Sequence, residues 1–117
     1  MRNKYNREDR IIAFTLYKTG EDSIGFFDIK KIAQITGHSV DSYKMKIDQF
    51  KGIAGPRKKV FIDGDIGPGL NEWADADQKV WDEYKDTDSL SLVFLAKMIL
   101  KERFAEFQSF GYKVKRN

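Results

Sequence analysis

The polar side chains between residues 38 and 59 have the types and spacing for duplex recognition. A helix that buries Val40, Tyr43, Ile47 and Phe50 turns Asp41, Ser42, Met45, Asp48 and Gln49 outward, with Lys44 and Lys46 on its flanks. On such a face Gln49 bonds adenine through both amide groups, Lys46 meets guanine or a phosphate, and Ser42 either. His38 and Ser39 stand in the turn before that helix, within reach of phosphate. Arg57, Lys58 and Lys59 follow it, where phosphates or a minor groove are accessible. The DNA-contacting set read from sequence is therefore His38, Ser39, Ser42, Lys44, Met45, Lys46, Gln49, Arg57, Lys58 and Lys59. Asp41 and Asp48 oppose it, because each repels the phosphate backbone unless it faces a cytosine amino group.

Other chemistries find little support. The chain has no cysteine and one histidine, His38. That excludes disulfides, cysteine-ligated zinc, thiol catalysis, a histidine-cluster metal site and the HNH nuclease chemistry that needs several histidines. Asp63-x-Asp65-x-Gly67 faintly echoes a calcium loop. Its sixth position, which requires Gly, is Pro68, and its twelfth, which requires Glu, is Ala74. Asp82-Glu83 and Asp86-x-Asp88 read as solvent-facing acids, and no phosphate-binding glycine loop or nucleophile elbow occurs. The expectation is a protein that is not an enzyme, with no catalytic residue, metal or cofactor.

Charge is unevenly spread. The 117 residues sum to +3, but residues 30–59 carry +6, residues 60–88 carry −7 and residues 89–117 carry +4. A basic block beside an acidic one suits a chain with one face turned to a polyanion. No N-terminal stretch joins basic residues to an apolar run and a cleavage site, which points away from secretion. The most apolar run, Leu90 to Leu100, includes Lys97 and is too short for a bilayer. Sequence alone therefore predicts a soluble, cytoplasmic protein that does not engage membranes.

The elements follow from periodicity and punctuation. A polar arm over residues 1–6 leads into a helix from Asn6 or Arg7 to Lys18, with Ile11, Ile12 and Leu16 buried, joined by Phe14 and Tyr17. Ile24-Gly25-Phe26 reads as a brief strand. A second helix spans about Phe27 to Thr36. Gly37 suits its left-handed C-terminal position, and Ser39 caps a third helix that ends near Lys51, before Gly52 and Gly55-Pro56. Two helices joined by a short Gly-containing turn form a helix-turn-helix. Lys59-Val60-Phe61-Ile62, the turn at Asp63-Gly64 and the return at 66–70 read as a β-hairpin wing. An acidic fourth helix over Trp73–Lys85 buries Val80, Trp81 and Tyr84. The fifth, Ser89 to Phe107, is apolar nearly all round, which either completes the core or makes a two-fold interface through Leu95 and Ile99; the thin shell of so small a domain favours the dimer.

The stretch Ile11 to Tyr84 resembles the N-terminal module found ahead of HNH-type endonuclease domains in bacterial restriction-like proteins. The shared residues are Ala13-Phe14-x-Leu16-Tyr17, Gly37-x-Ser39, Met45-Lys46-Ile47 and Ala76-Asp77-x-x-Val80-Trp81-Asp82-Glu83-Tyr84. The resemblance implies a winged helix-turn-helix without the nuclease. His38 stands where that family often has arginine, and Val40-Asp41 where it has Pro-Ser. The expected fold is thus mainly α with a short β hairpin, a winged helix-turn-helix followed by a long C-terminal helix. One domain would hold the arm at 1–6, the winged unit at 7–70, the acidic helix at 71–85, the apolar helix at 88–108 and a basic tail at 109–117. The expected function is double-stranded DNA binding by a bacterial or phage regulator or free-standing recognition module. The alternative is a protein-interaction module of the same fold, an inhibitor or adaptor of a phage-defence nuclease. Expected partners are duplex DNA, a protein at the acidic helix and a second copy through the C-terminal helix.

Overall fold

A computed structural model describes the backbone of residues 5–55 and 74–116, and side chains as far as residue 106. Five α-helices make up this part of the chain: α1 (Arg7–Thr19), α2 (Ile29–Thr36), α3 (Val40–Ala54), α4 (Asp75–Tyr84) and α5 (Ser89–Arg116). Among the described residues there is no strand. The fold class expected from sequence, winged helix-turn-helix with a β hairpin, therefore gives way to an all-α bundle. The wing expected at 59–70 lies outside the described residues. The strand expected at Ile24–Phe26 is a turn, in which the Phe27 N–H donates to the Ile24 carbonyl at 3.2 Å and Gly25 takes a φ of 60°. A glycine without Cβ adopts that left-handed conformation at no steric cost, and it ends any strand there.

Local chemistry sets each helix start. Asn6 and Asp9 form a reciprocal capping box on α1: the Asn6 side chain accepts the Asp9 N–H at 2.8 Å, and Asp9 accepts the Asn6 N–H at 3.2 Å. Asp28 accepts the Lys31 N–H at 2.9 Å, which moves the start of α2 to Ile29 rather than Phe27. Gly37 takes the left-handed conformation, φ 83°, and Ser39 caps α3 by accepting the Ser42 N–H at 3.0 Å. Helix α3 passes through Gly52 to Ala54, because one helical glycine costs only about 1 kcal/mol. Asp88 caps α5, accepting from both the backbone and the hydroxyl of Ser91. That last helix continues to Arg116, nine residues beyond the expected end.

Helix α1 is the centre of the bundle. Ile11, Ile12, Ala13, Phe14, Thr15 and Leu16 are all buried, so its middle is enclosed on every side rather than along one stripe. It touches α3, α4 and α5, while α2 packs on α3 and α5. Phe14 meets Phe50 edge-on at 5.3 Å and Trp81 at 5.6 Å, joining α1, α3 and α4 through aromatic contact. Trp81 and Tyr84 are partly buried against this core, and Val80 is fully inside it. The buried Thr15 hydroxyl donates to the Ile11 carbonyl, so its polarity is satisfied within the helix.

An ionic clamp crosses the same three helices. Asp77 of α4 is fully buried and receives Arg10 Nε of α1 at 2.8 Å and Lys46 Nζ of α3 at 2.9 Å. Its Oδ2 also accepts the Ala74 N–H at 3.1 Å, closing the first turn of α4. By contrast, the two-pronged bond between Arg7 and Glu83 is open to solvent. Exposed pairs of that kind contribute little, whereas removing one partner of a buried pair leaves the other charges uncompensated.

Two predictions follow from these contacts. Asp77→Ala should lower stability by about 3–5 kcal/mol in urea denaturation, while Glu83→Gln should leave the midpoint nearly unchanged; equal effects would contradict the clamp. The Lys31 N–H holds the Asp28 carboxyl below the usual carboxylate range, and the Ser91 hydroxyl and N–H do the same for Asp88. A carboxyl depressed on folding stabilises fully above its unfolded value of about 3.9 and loses that contribution as pH falls through the folded value. Thermal melts from pH 6 to 2.5 should therefore steepen below about pH 4. Asp28→Ser with Asp88→Ser, which keeps uncharged caps, should flatten the profile.

Candidate functional site

Of the residues expected to read DNA, His38, Ser42, Lys46 and Gln49 are wholly or partly turned into the bundle. The His38 ring is buried, with Nε2 2.9 Å from Asp9 Oδ2. Tyr5 stacks on it with ring centroids 4.0 Å apart, and Tyr43 meets it edge-on. Ser42 is half-buried and hydrogen-bonded to the Tyr5 hydroxyl at 2.9 Å. Burial pushes the Tyr5 phenol up to about 12, which keeps it a neutral hydrogen-bonding group. Lys46 is turned inward to Asp77, its side chain only 14% exposed. Gln49 is half-buried as well. Ser39, Lys44 and Met45 are exposed, but the Ser39 hydroxyl is engaged as the α3 cap. Arg57, Lys58 and Lys59 lie outside the described residues.

What α3 shows to solvent is Asp41, Lys44, Met45, Asp48, Lys51 and Ala54, two acids against two bases. Lys51 lies 3.9 Å from Asp48. A face of that balance neutralises almost no phosphate, and phosphate neutralisation supplies most non-specific affinity for DNA. Duplex binding by a winged helix-turn-helix is therefore overturned: the described residues hold no strand, and His38, Ser42 and Lys46, meant for the groove, are engaged within the bundle. The alternative, an inhibitor or adaptor of a defence nuclease built on that same winged fold, falls with it.

A second polar cluster ties α5 to α1. Arg103 donates to Glu8 at 2.8 Å and stands 3.6 Å from Asp9 Oδ1, whose other oxygen takes His38. Tyr43 is buried and bonded to Thr36 at 2.8 Å. Thr36 donates its proton to the Ile32 carbonyl, so the tyrosine supplies the donor. Burial drives the Tyr43 hydroxyl well above its ordinary value, so it stays protonated. Each of these groups has a structural partner, and among the described residues no group of three or more His, Asp or Glu side chains could hold a metal ion. No described helix is long and apolar enough to cross a membrane.

The exception to this internal pairing is the outer face of α5. Leu92, Ala96, Ile99 and Leu100 point into the core. On the opposite side Leu90, Phe94 and Met98 are 82%, 65% and 55% exposed. They recur every four residues, which places them as one ridge on the helix. Singly exposed apolar residues are ordinary, but a continuous row of three large ones marks an interaction surface. Sequence reasoning saw the helix as apolar all round and placed an interface at Leu95 and Ile99; Ile99 is core and Leu95 partly buried. The missing signal was where the core-facing stripe lies: once Leu92, Ala96 and Ile99 are inward, 3.6 residues per turn sends Leu90, Phe94 and Met98 out.

No family model, curated protein or solved structure matches this chain. The resemblance to modules preceding HNH-type endonuclease domains thus gains no support from comparison, and the strand-free fold of the described residues contradicts the winged architecture it implied.

Leu90→Gln, Phe94→Gln and Met98→Gln together should shift the unfolding free energy by less than about 1.5 kcal/mol, as for surface changes at about 0.5 kcal/mol each. Leu92→Ala, at the buried face of the same helix, should cost about 2–5 kcal/mol. Chemical denaturation of the two variants side by side checks which face of α5 is core.

Proposed function

We propose that this protein is a non-catalytic helical binding module whose working surface is the outer face of α5, docked against another protein chain. The observation that carries the reading is the unbroken row Leu90, Phe94 and Met98 on a helix whose other face is locked into the core. Burying such side chains contributes roughly 1.5–3 kcal/mol each, enough for a specific contact of modest size. Helix α4, the acidic surface considered from sequence, offers less. Its Asp77 is internal, its Glu83 is bound by Arg7, and its Asp82 accepts from Gln78 at 3.1 Å. Charged groups of this kind steer an encounter more than they hold a complex.

A photo-crosslinking amino acid at position 94 tests the reading against the same group at position 82 on α4. Irradiation in cells that make the protein should give discrete protein adducts from position 94 and few from 82. Equal labelling from both positions, or none from 94, would remove α5 as the docking face.

A further inference from the structure

We propose that the slot holding Tyr5 is an exchangeable site for a tyrosyl side chain: the N-terminal arm fills it in the free protein, and a tyrosine of another polypeptide takes the arm's place. No residue of the α5 row lines this slot, so either surface can fail without the other. Four side chains build it around the Tyr5 ring. His38 stacks on the ring with centroids 4.0 Å apart, Tyr43 meets it edge-on at 5.4 Å, and Lys46 Nζ stands over it 5.3 Å from the centroid. Ser42 bonds the phenol hydroxyl at 2.9 Å. Arg10 Nη1 donates to the Tyr5 main-chain carbonyl at 2.7 Å. The rings and the cation select an aromatic group, and Ser42 selects one with a hydroxyl. Arg10 selects one carried on a peptide, because a free phenol has no carbonyl to offer it.

The walls of the slot do not depend on its occupant. His38 is held by Asp9 at 2.9 Å and Tyr43 by Thr36 at 2.8 Å. Lys46 and Arg10 are both held by Asp77, at 2.9 and 2.8 Å. Ser42 stands in the first turn of α3, where its N–H is fixed by the Ser39 cap. When Tyr5 leaves, each wall keeps its own partner, and a preformed site needs little reorganisation to take a new ligand. Tyr5 itself is half-buried, belongs to no helix and precedes the Asn6 cap of α1. Its release breaks the phenol bond, the carbonyl bond and the ring contacts, and leaves the capping box of α1 in place. A tethered arm competes at an effective concentration of about a millimolar, which sets the range in which a free tyrosyl ligand displaces it.

Fluorine NMR of the full chain carrying 3-fluorotyrosine reads the exchange, since the Tyr5 signal is the one missing from Tyr5→Phe. N-acetyltyrosine amide, titrated into the wild type through the millimolar range, should move the Tyr5 signal to the position of a solvent-exposed tyrosine and leave those of Tyr17 and Tyr84 in place. p-Cresol, which lacks the carbonyl, and N-acetylphenylalanine amide, which lacks the hydroxyl, should each need several-fold higher concentrations. In Tyr5→Ala, N-acetyltyrosine amide should shift the ring signals of His38, the one histidine of the chain, and raise the melting midpoint. A Tyr5 signal that never moves makes this residue a permanent plug and overturns the exchange. A folded Tyr5→Ala whose His38 signals do not respond removes the slot as a binding site; if that variant does not fold, the wild-type titration decides alone. p-Cresol binding as tightly as the amide would assign the slot to free phenols and overturn a polypeptide occupant.

Discussion

The buried carboxylate of Asp77 sets the terms for the rest of the bundle. A charge taken out of water is tolerable only when hydrogen-bonded and paired, and Arg10, Lys46 and the Ala74 N–H do both. Because the three partners come from three different segments, satisfying Asp77 fixes α4 against α1 and α3 at one relative position. The aromatic contacts of Phe14 with Phe50 and Trp81 join the same helices through non-directional burial. Apolar packing supplies affinity between these helices. The carboxylate defines their register.

Asp9 performs the corresponding task at the other side of α1. It completes the α1 capping box, receives His38 from the α2–α3 turn and faces Arg103 of α5. Tyr5 covers the histidine, and its hydroxyl reaches Ser42. The turn that looks like a recognition element in sequence is thus the point where the N-terminal segment, α1, α3 and α5 meet. Its polar residues are tied to one another, so it leaves α3 a nearly neutral exposed face. Among the described residues, large apolar side chains are exposed singly at Phe26 and Met45 and as a row of three on α5.

Much of the helical content was legible in the sequence, since caps and breakers act locally. Asn6, Gly37 and Ser39 take the places their side chains and backbone freedom favour, and the inward positions Tyr43, Ile47 and Phe50 follow from helical period alone. What was not legible depended on distant partners. Lys46 at the flank of an exposed helix reads as a phosphate contact until Asp77, thirty-one positions later, is found beside it. His38 reads as an incidental turn residue until Asp9 and Tyr5 enclose it. Helix α1 reads as one-sided because Ala13 and Thr15 carry no strong apolar signal, yet both are fully enclosed. The ridge on α5 was hidden for the opposite reason: a helix apolar all round gives no indication of which side its neighbours cover.

Oxidative footprinting with hydroxyl radicals compares the two rival surfaces in one experiment. Met45 on α3 and Met98 on α5 have the same chemistry and nearly the same exposure, 53% and 55%. In dilute solution both should be oxidised at similar rates, while buried His38 and Tyr43 stay protected. In extract of the cells that make the protein, Met98 should become protected together with Phe94 and Leu90, and Met45 should keep its dilute-solution rate. Protection of Met45 with Met98 unchanged, or ready oxidation of His38 in the folded chain, would contradict the assignment of His38 to the interior and of α5, rather than α3, to the interface.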